Sequence, residues 1–275
     1  MLPAQGSKKK SKSETIISPW LVYNIFLHNL KSGMAYRISF LTQIIFMMLN
    51  NSFFLIFWYL FFAKFNDVRG WTLNDVIVLF AMGASSYGLA VMIFGNCMRL
   101  STLIQEGQLD YYLLLPPDPL SHILISRMVF SGIGDFCFGI LTLVLFTSFG
   151  LKEIAIFLLM TPISAIVYVS FCVIVHSLTF FMESSEGISR FLSEAMLMFS
   201  MYPEHLFDGM ARFCLFTIVP VGFMTYLPVK VVQTFSLPLF MTISVVAVMM
   251  ILLARVVFQI GLRAYESGNL ISVRS

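Results

Sequence analysis

Long apolar runs separated by short polar breaks set the plan of this chain. From about Ile38 to Phe62 the residues are almost all apolar, bracketed by Arg37 and Lys64, with Trp58 and Tyr59 near the far end as an interface belt. That pattern predicts a first transmembrane helix. A short polar stretch, 66–70, leads to Trp71 and a second run over about Leu73 to Phe94. A third begins after Asp118, which reads as a helix cap with Pro119 at the first position, and continues to about Phe149. As one continuous helix it would reach about 45 Å, longer than the hydrocarbon core, so one end should project into water. Lys152 and Glu153 make the turn into a fourth run ending near Met182, and the last run covers about Leu237 to Ile260.

Two segments break the pattern. Phe191 to Tyr202 contains Glu194 and is short for a span; Phe213 to Leu227 is also short and is split by Pro220. The first reads as most of a fifth crossing. The second reads as a re-entrant hairpin within 204–236, with Pro220, Gly222 and Pro228 as candidate gate residues. Before the first span, Ser18 and Pro19 give a helix-start signal. Beyond them Leu21, Val22, Ile25, Phe26, Leu30 and Met34 fall mostly opposite Asn24, His28 and Lys31, which predicts an amphipathic interfacial helix over 18–36. The expected organisation is a polar tail at 1–17, this helix, a transmembrane domain over 37–262 and a tail at 263–275. The fold class is an all-α polytopic membrane protein with six transmembrane helices.

Composition agrees. Hydrophobic residues make up 59% of the chain and charged ones 11%, against about 45 to 50% and about 25% in soluble domains. The lysine-rich start (Lys8, Lys9, Lys10, Lys12) lacks the apolar core of a cleaved signal peptide. Placing the N-terminus in the cytoplasm collects most Lys and Arg there and leaves only Lys64, Arg69, Lys152, Arg212 and Lys230 outside. Both ends are then cytoplasmic, and Arg255, inside the last run, lies within snorkelling reach of its inner end. A net charge of +3 clustered at the start suits an anionic leaflet better than nucleic acid. Cys97, Cys137, Cys172 and Cys214 stand apart and read as small hydrophobes.

No phosphate-cradling G-x-x-x-x-G-K-[ST], no H-E-x-x-H and no G-x-S-x-G occurs, so neither ATP binding, nor a metal site, nor catalysis is expected of this chain. What remains is polar groups at membrane depth. Gln43, Asn50 and Asn51 in the first span, with Ser85, Ser86 and Tyr87 in the second, are candidate pathway-lining residues. Helix-to-helix hydrogen bonding is the other reading of the asparagines, and the i, i+4 pairs Ala81 with Ser85 and Ala84 with Gly88 favour close packing. Asp135 and His176 would pair if the third and fourth spans pack antiparallel. The alternative is that each bonds to nearby Ser or Thr hydroxyls.

The most telling polar break is the run from Glu106 to Leu120. Gly107 and the Pro116-Pro117 pair interrupt helix, and Glu106 and Asp110 belong in water. Glu106, Gly107, Leu109, Asp110, Leu113, Pro116, Pro119 and Leu120 resemble the E-G-x-L-D-x-x-L-x-x-P-x-x-P-L loop of ABC-2 type exporter permeases of the six-span kind. Tyr202-Pro203, Phe213, Pro220, Tyr226 and Pro228, and the closing Arg263-Ala264-Tyr265-Glu266-Ser267-Gly268, resemble later parts of the same family. The resemblance implies an exporter subunit in a bacterial cytoplasmic membrane, surrounded by lipid. It also implies a second permease copy or paralogue and a separate cytoplasmic ATPase that binds the ATP and magnesium. Glu106, Gly107, Leu109, Asp110, Leu113 and Pro116, within 99–120, are then the ATPase-coupling residues. Leu103, Ile104, Leu109 and Leu113 are expected to fill a cleft of that partner while Glu106 and Asp110 pair with its basic rim. An ATP-independent channel or secondary carrier is the alternative, and a visible internal repeat, which would favour it, is missing.

Overall fold

The apolar runs fold as helices that pack around two of their number. The computed structural model describes residues 19–65, 67, 70–182 and 185–265. The basic tail with Ser18, and Asn66, Arg69, Glu183, Arg274 and the Glu266-Ser267-Gly268 end of the closing run, lie outside the described residues. In chain order the helices are α1 (Pro19–Ala35), α2 (Arg37–Lys64), α3 (Leu73–Ile93), α4 (Leu100–Gln105), α5 (Leu109–Leu113) and α6 (Pro119–Ile125). They continue as α7 (Ser131–Phe146), α8 (Leu151–Ser177), α9 (Glu186–Ser200), α10 (Gly209–Thr217), α11 (Leu227–Gln233) and α12 (Leu237–Ala264).

Among the described residues four helices are long and apolar enough to cross a membrane: α2, α3, α8 with its 3₁₀ extension to Phe180, and α12. The central pair is α3 and α8, with 78% and 67% of their apolar windows buried, against 11% for α2 and 17% for α12 at the periphery. Side chains such as Phe46, Phe53, Leu60, Val248 and Leu252 on the two outer helices are exposed. Such faces meet lipid or another subunit, because water would not tolerate them.

Small residues let α3 and α7 approach closely. A Cβ on Gly139 would stand 2.1 Å from the Ser85 hydroxyl, and one on Gly88 would stand 2.4 Å from the Phe136 nitrogen. Ser85 therefore belongs to a packing seam, with its hydroxyl donating to the Phe136 carbonyl at 3.4 Å.

The expected continuous third span is a correction. The chain leaves helical form between α6 and α7 because its backbone there bonds to α3 and the turn that follows it. Val129 N–H donates to the Val91 carbonyl (3.1 Å), and Gly95 N–H donates to the Arg127 carbonyl (3.0 Å). What remains, α7, is 16 residues long, about 24 Å at helical rise.

The irregular region comprises two short helical arms that approach from opposite ends of α3. α9 starts beside α4, where Glu186 accepts from Thr102 at 3.0 Å. Its last residue, Ser200, faces Gly83 midway along α3. From the opposite face come α10 and the π-helical turn Gly222–Tyr226 running into α11, bent by 75°. Thr225 reaches the same Gly83, while Gln233, at the far end of α11, donates to Asp75 in the first turn of α3 at 2.7 Å. Glu204, fully buried, holds the hairpin's two arms on that face through Arg212 of α10 and Lys230 of α11, the latter at 2.9 Å. Pro220, Gly222 and Pro228 are all buried in the bend.

Candidate functional site

The signature loop is built around one left-handed glycine. Helix α4 ends at Gln105 with Glu106 as its cap; Gly107 follows with φ of +69°, a conformation that β-carbon sterics disfavour. Gly107 N–H donates to the Ile104 carbonyl (3.2 Å) and Gln108 N–H to the Leu103 carbonyl (3.0 Å). These two bonds are the Schellman pattern that satisfies a helix end and reverses the chain. The reversal folds α5 back, so that Leu103, Ile104 and Leu109 are buried inside the chain itself.

This overturns the expectation that those leucines fill a partner's cleft; Leu113 is half-buried as well. The face left open consists of Glu106, Gln108, Tyr111, Leu114 and Pro116, with Leu114 86% exposed and Tyr111 65% exposed. Asp110 is half-buried and accepts a hydrogen bond from the Tyr265 hydroxyl. Burial, and then the Asp110 charge, push the Tyr265 phenol up to about 12. Tyr265 also stands edge-on to Phe180, at 6.0 Å between ring centroids. Two sequence segments far apart in the chain, the loop signature and the closing run, therefore meet.

Further along, Asp118 caps α6 by accepting from the Ser121 backbone N–H (3.0 Å) and hydroxyl (2.6 Å), as the Asp-Pro pattern predicts. Its carboxylate also pairs with Arg255 of α12 at 3.6 Å, so the snorkelling arginine finds an acid at the loop's edge. Tyr112 donates to the Ser126 hydroxyl (3.0 Å), because that hydroxyl is already donating to the Ile123 carbonyl (2.8 Å).

Beneath the loop lies a polar seam. His176 of α8 has both ring nitrogens occupied, Nδ1 by Ser101 of α4 (2.8 Å) and Nε2 by Ser193 of α9 (3.2 Å). Ser193 donates to the Ser189 carbonyl (2.9 Å), so it accepts from Nε2–H, and Ser101 must donate to Nδ1. Ser189 in turn donates to the Val175 carbonyl (2.6 Å).

Asp135 and His176 therefore do not pair, which corrects that expectation. Asp135 instead accepts from Asn51 of α2 at 2.7 Å, and its second oxygen is buried with no partner among the described residues. Of the other lining candidates, Ser86 is buried, Tyr87 is half-buried, and Gln43 and Asn50 are exposed on α2. Sequence reasoning missed Ser101 and Ser193; the signal it passed over is the serine spacing Ser185, Ser189, Ser193, which lines up the residue before α9 and two within it on one face. It also missed the Glu204 cluster, whose members come from three separate segments.

A family model described as an ABC-2 family transporter protein matches residues 26–268, and the chain belongs to that family. It is a membrane protein of a transporter class whose members generally partner ABC ATPase subunits. No curated protein and no solved structure matches the chain.

Proposed function

We propose that this chain is the permease subunit of an ATP-driven exporter, that a second copy or a paralogue completes its pathway, and that ATP and magnesium are handled by a separate ATPase. The observation that carries this reading is the α4–α5 reversal. It presents Glu106, Gln108, Tyr111, Leu114 and Pro116 outward while its buried side is fastened to three helices of the bundle. The fastenings are Ser101 to His176 on α8, Thr102 to Glu186 on α9, and Asp110 to Tyr265 at the end of α12.

A partner that moves the exposed side displaces all three helices together, because a packed element responds as a unit. With the N-terminus inside, that exposed side faces the cytoplasm. Tyr111 and Leu114 supply the apolar contact for an ATPase groove, and Glu106 supplies charge at its rim. Purification of the tagged chain from its native membrane should bring down an ATPase in stoichiometric amount, and vesicles reconstituted with both should move cargo only with ATP. A chain that purifies without an ATPase and conducts without ATP would sink the proposal in favour of a channel or carrier.

A further inference from the structure

At the same end of the bundle as α1, an apolar cleft of about 260 Å³ opens between α1, the end of α3 and the α6–α7 break. Pro19, Val22, Phe26, Ile93, Ile125 and Met128 are among its walls. The Asn29 side chain, donating to the Ile125 carbonyl at 3.4 Å, ties α1 to its other wall. Two arginines belong to the segments around it. Arg127 lies between the lining residues Ile125 and Met128 in the chain. Its carbonyl is bonded to Gly95, which opens the 3₁₀ turn that ends at Arg99.

Among the described residues neither guanidinium has a carboxylate partner. The Gly95–Arg127 backbone bond puts their two segments side by side, and burial, with the charge of Arg99 after it, lowers the Arg127 pKa from its ordinary value. Two like charges held together without an acid call for an anion. Guanidinium groups match phosphate oxygens in geometry as well as charge.

We propose that the cleft and the Arg99–Arg127 pair form one binding site for an anionic phospholipid, with an acyl chain in the cleft and the headgroup phosphate on the arginines. The two halves fit only a ligand that is apolar at one end and anionic at the other, and the sequence of α1 is that of an interfacial helix, which would meet such molecules at the membrane surface. A bare phosphate leaves the cleft unfilled. A neutral phospholipid fills it but carries no net charge to offset the pair. This site does not depend on the ATPase or on the direction of transport.

Native mass spectrometry of the full chain, with phosphatidylglycerol or phosphatidylcholine added, tests it. Retention of phosphatidylglycerol should exceed that of phosphatidylcholine by about tenfold, and Arg99→Gln with Arg127→Gln should bring the ratio below about twofold. The control pair Lys31→Gln with Arg37→Gln removes equal charge nearby and should leave the preference in place. Val22→Trp, which fills the cleft and keeps both arginines, should weaken phosphatidylglycerol retention and so reports on the site even if the double arginine variant folds poorly. The proposal fails if the preference survives loss of both arginines, if the control pair abolishes it equally, if Val22→Trp leaves retention unchanged, or if inorganic phosphate displaces the lipid.

Discussion

The hydroxyl of Tyr265, just past the end of α12, donates to the carboxylate of Asp110 in α5, joining the last transmembrane helix to the signature loop. A hydrogen bond to a charged group at a partly exposed site contributes about 1 kcal/mol. Tyr265→Phe removes it and keeps the ring contact with Phe180. The expected result is a correctly inserted protein with faster amide exchange across α5 and several-fold lower ATP-dependent transport. Unchanged exchange in α5 would show that the bond does not hold the loop.

Gly107→Ala should lower stability by about 1 to 2 kcal/mol, because alanine is strained at positive φ. Gly187→Ala, in α9 with open space around its Cβ, should be neutral or slightly stabilising. Thermal unfolding of the two purified variants reads the contrast, and equal midpoints would remove Gly107 from its turn-forming role.

Burial separates two leucines of the same loop. Leu109→Ala should destabilise the protein by about 2 to 5 kcal/mol through the cavity it leaves. Leu114→Ala should change stability by less than about 0.5 kcal/mol yet weaken ATPase association by tenfold or more, measured by co-purification and titration. If Leu114→Ala binds the ATPase normally, the exposed face of α5 is not the docking surface.

His176→Phe strands the buried Ser101 hydroxyl, at about 1 to 3 kcal/mol, and cuts the link from α4 to α9. His176→Gln keeps one donor and one acceptor. Cargo moved per ATP hydrolysed should fall with phenylalanine and recover in part with glutamine. A purely structural role would lower protein yield and leave that ratio alone.

The Glu204 cluster predicts a pH dependence on the face opposite the loop. Burial raises the carboxyl's pKa, but the hydrogen bonds and charges of Lys230 and Arg212 outweigh it, so the net value lies below the ordinary 4.5. A depressed carboxylate contributes stability that is fully present above its unfolded value and is lost as pH falls through the folded one. Iodide quenching of a fluorophore attached beforehand to Phe223→Cys should therefore rise only as pH drops below about 4.5, and adding Glu204→Gln should raise it at neutral pH. Quenching that ignores both pH and Glu204→Gln would rule out this cluster as the hairpin's latch.

How much of this was legible depends on whether a feature is local. The ends of α2, α3 and α12 were readable because Arg37, Lys64 and the capping residues bracket uninterrupted apolar runs. The Asp118-Pro119 cap was readable because a cap involves only its own first turn. The break before Ser131 was not, since its cause is the pairing of Val129 and Gly95 with distant backbone groups, and the sequence there stays almost wholly apolar. Nor was the inward turn of Leu103 and Leu109, which depends on the direction the chain takes after Gly107. The mistaken Asp135 and His176 pair has the same origin: both lie on adjacent runs, but helix rotation, set by the glycine seam against α3, points Asp135 at Asn51 instead.

Of the 28 residues in α2 only Asn51, Trp58 and Phe62 are buried. The rest of the rod is held on one side only, where Ile44 and Met47 abut Gly134 of α7 and Phe40 meets Phe130 edge-on, so its outer side can change in sequence without disturbing the interior.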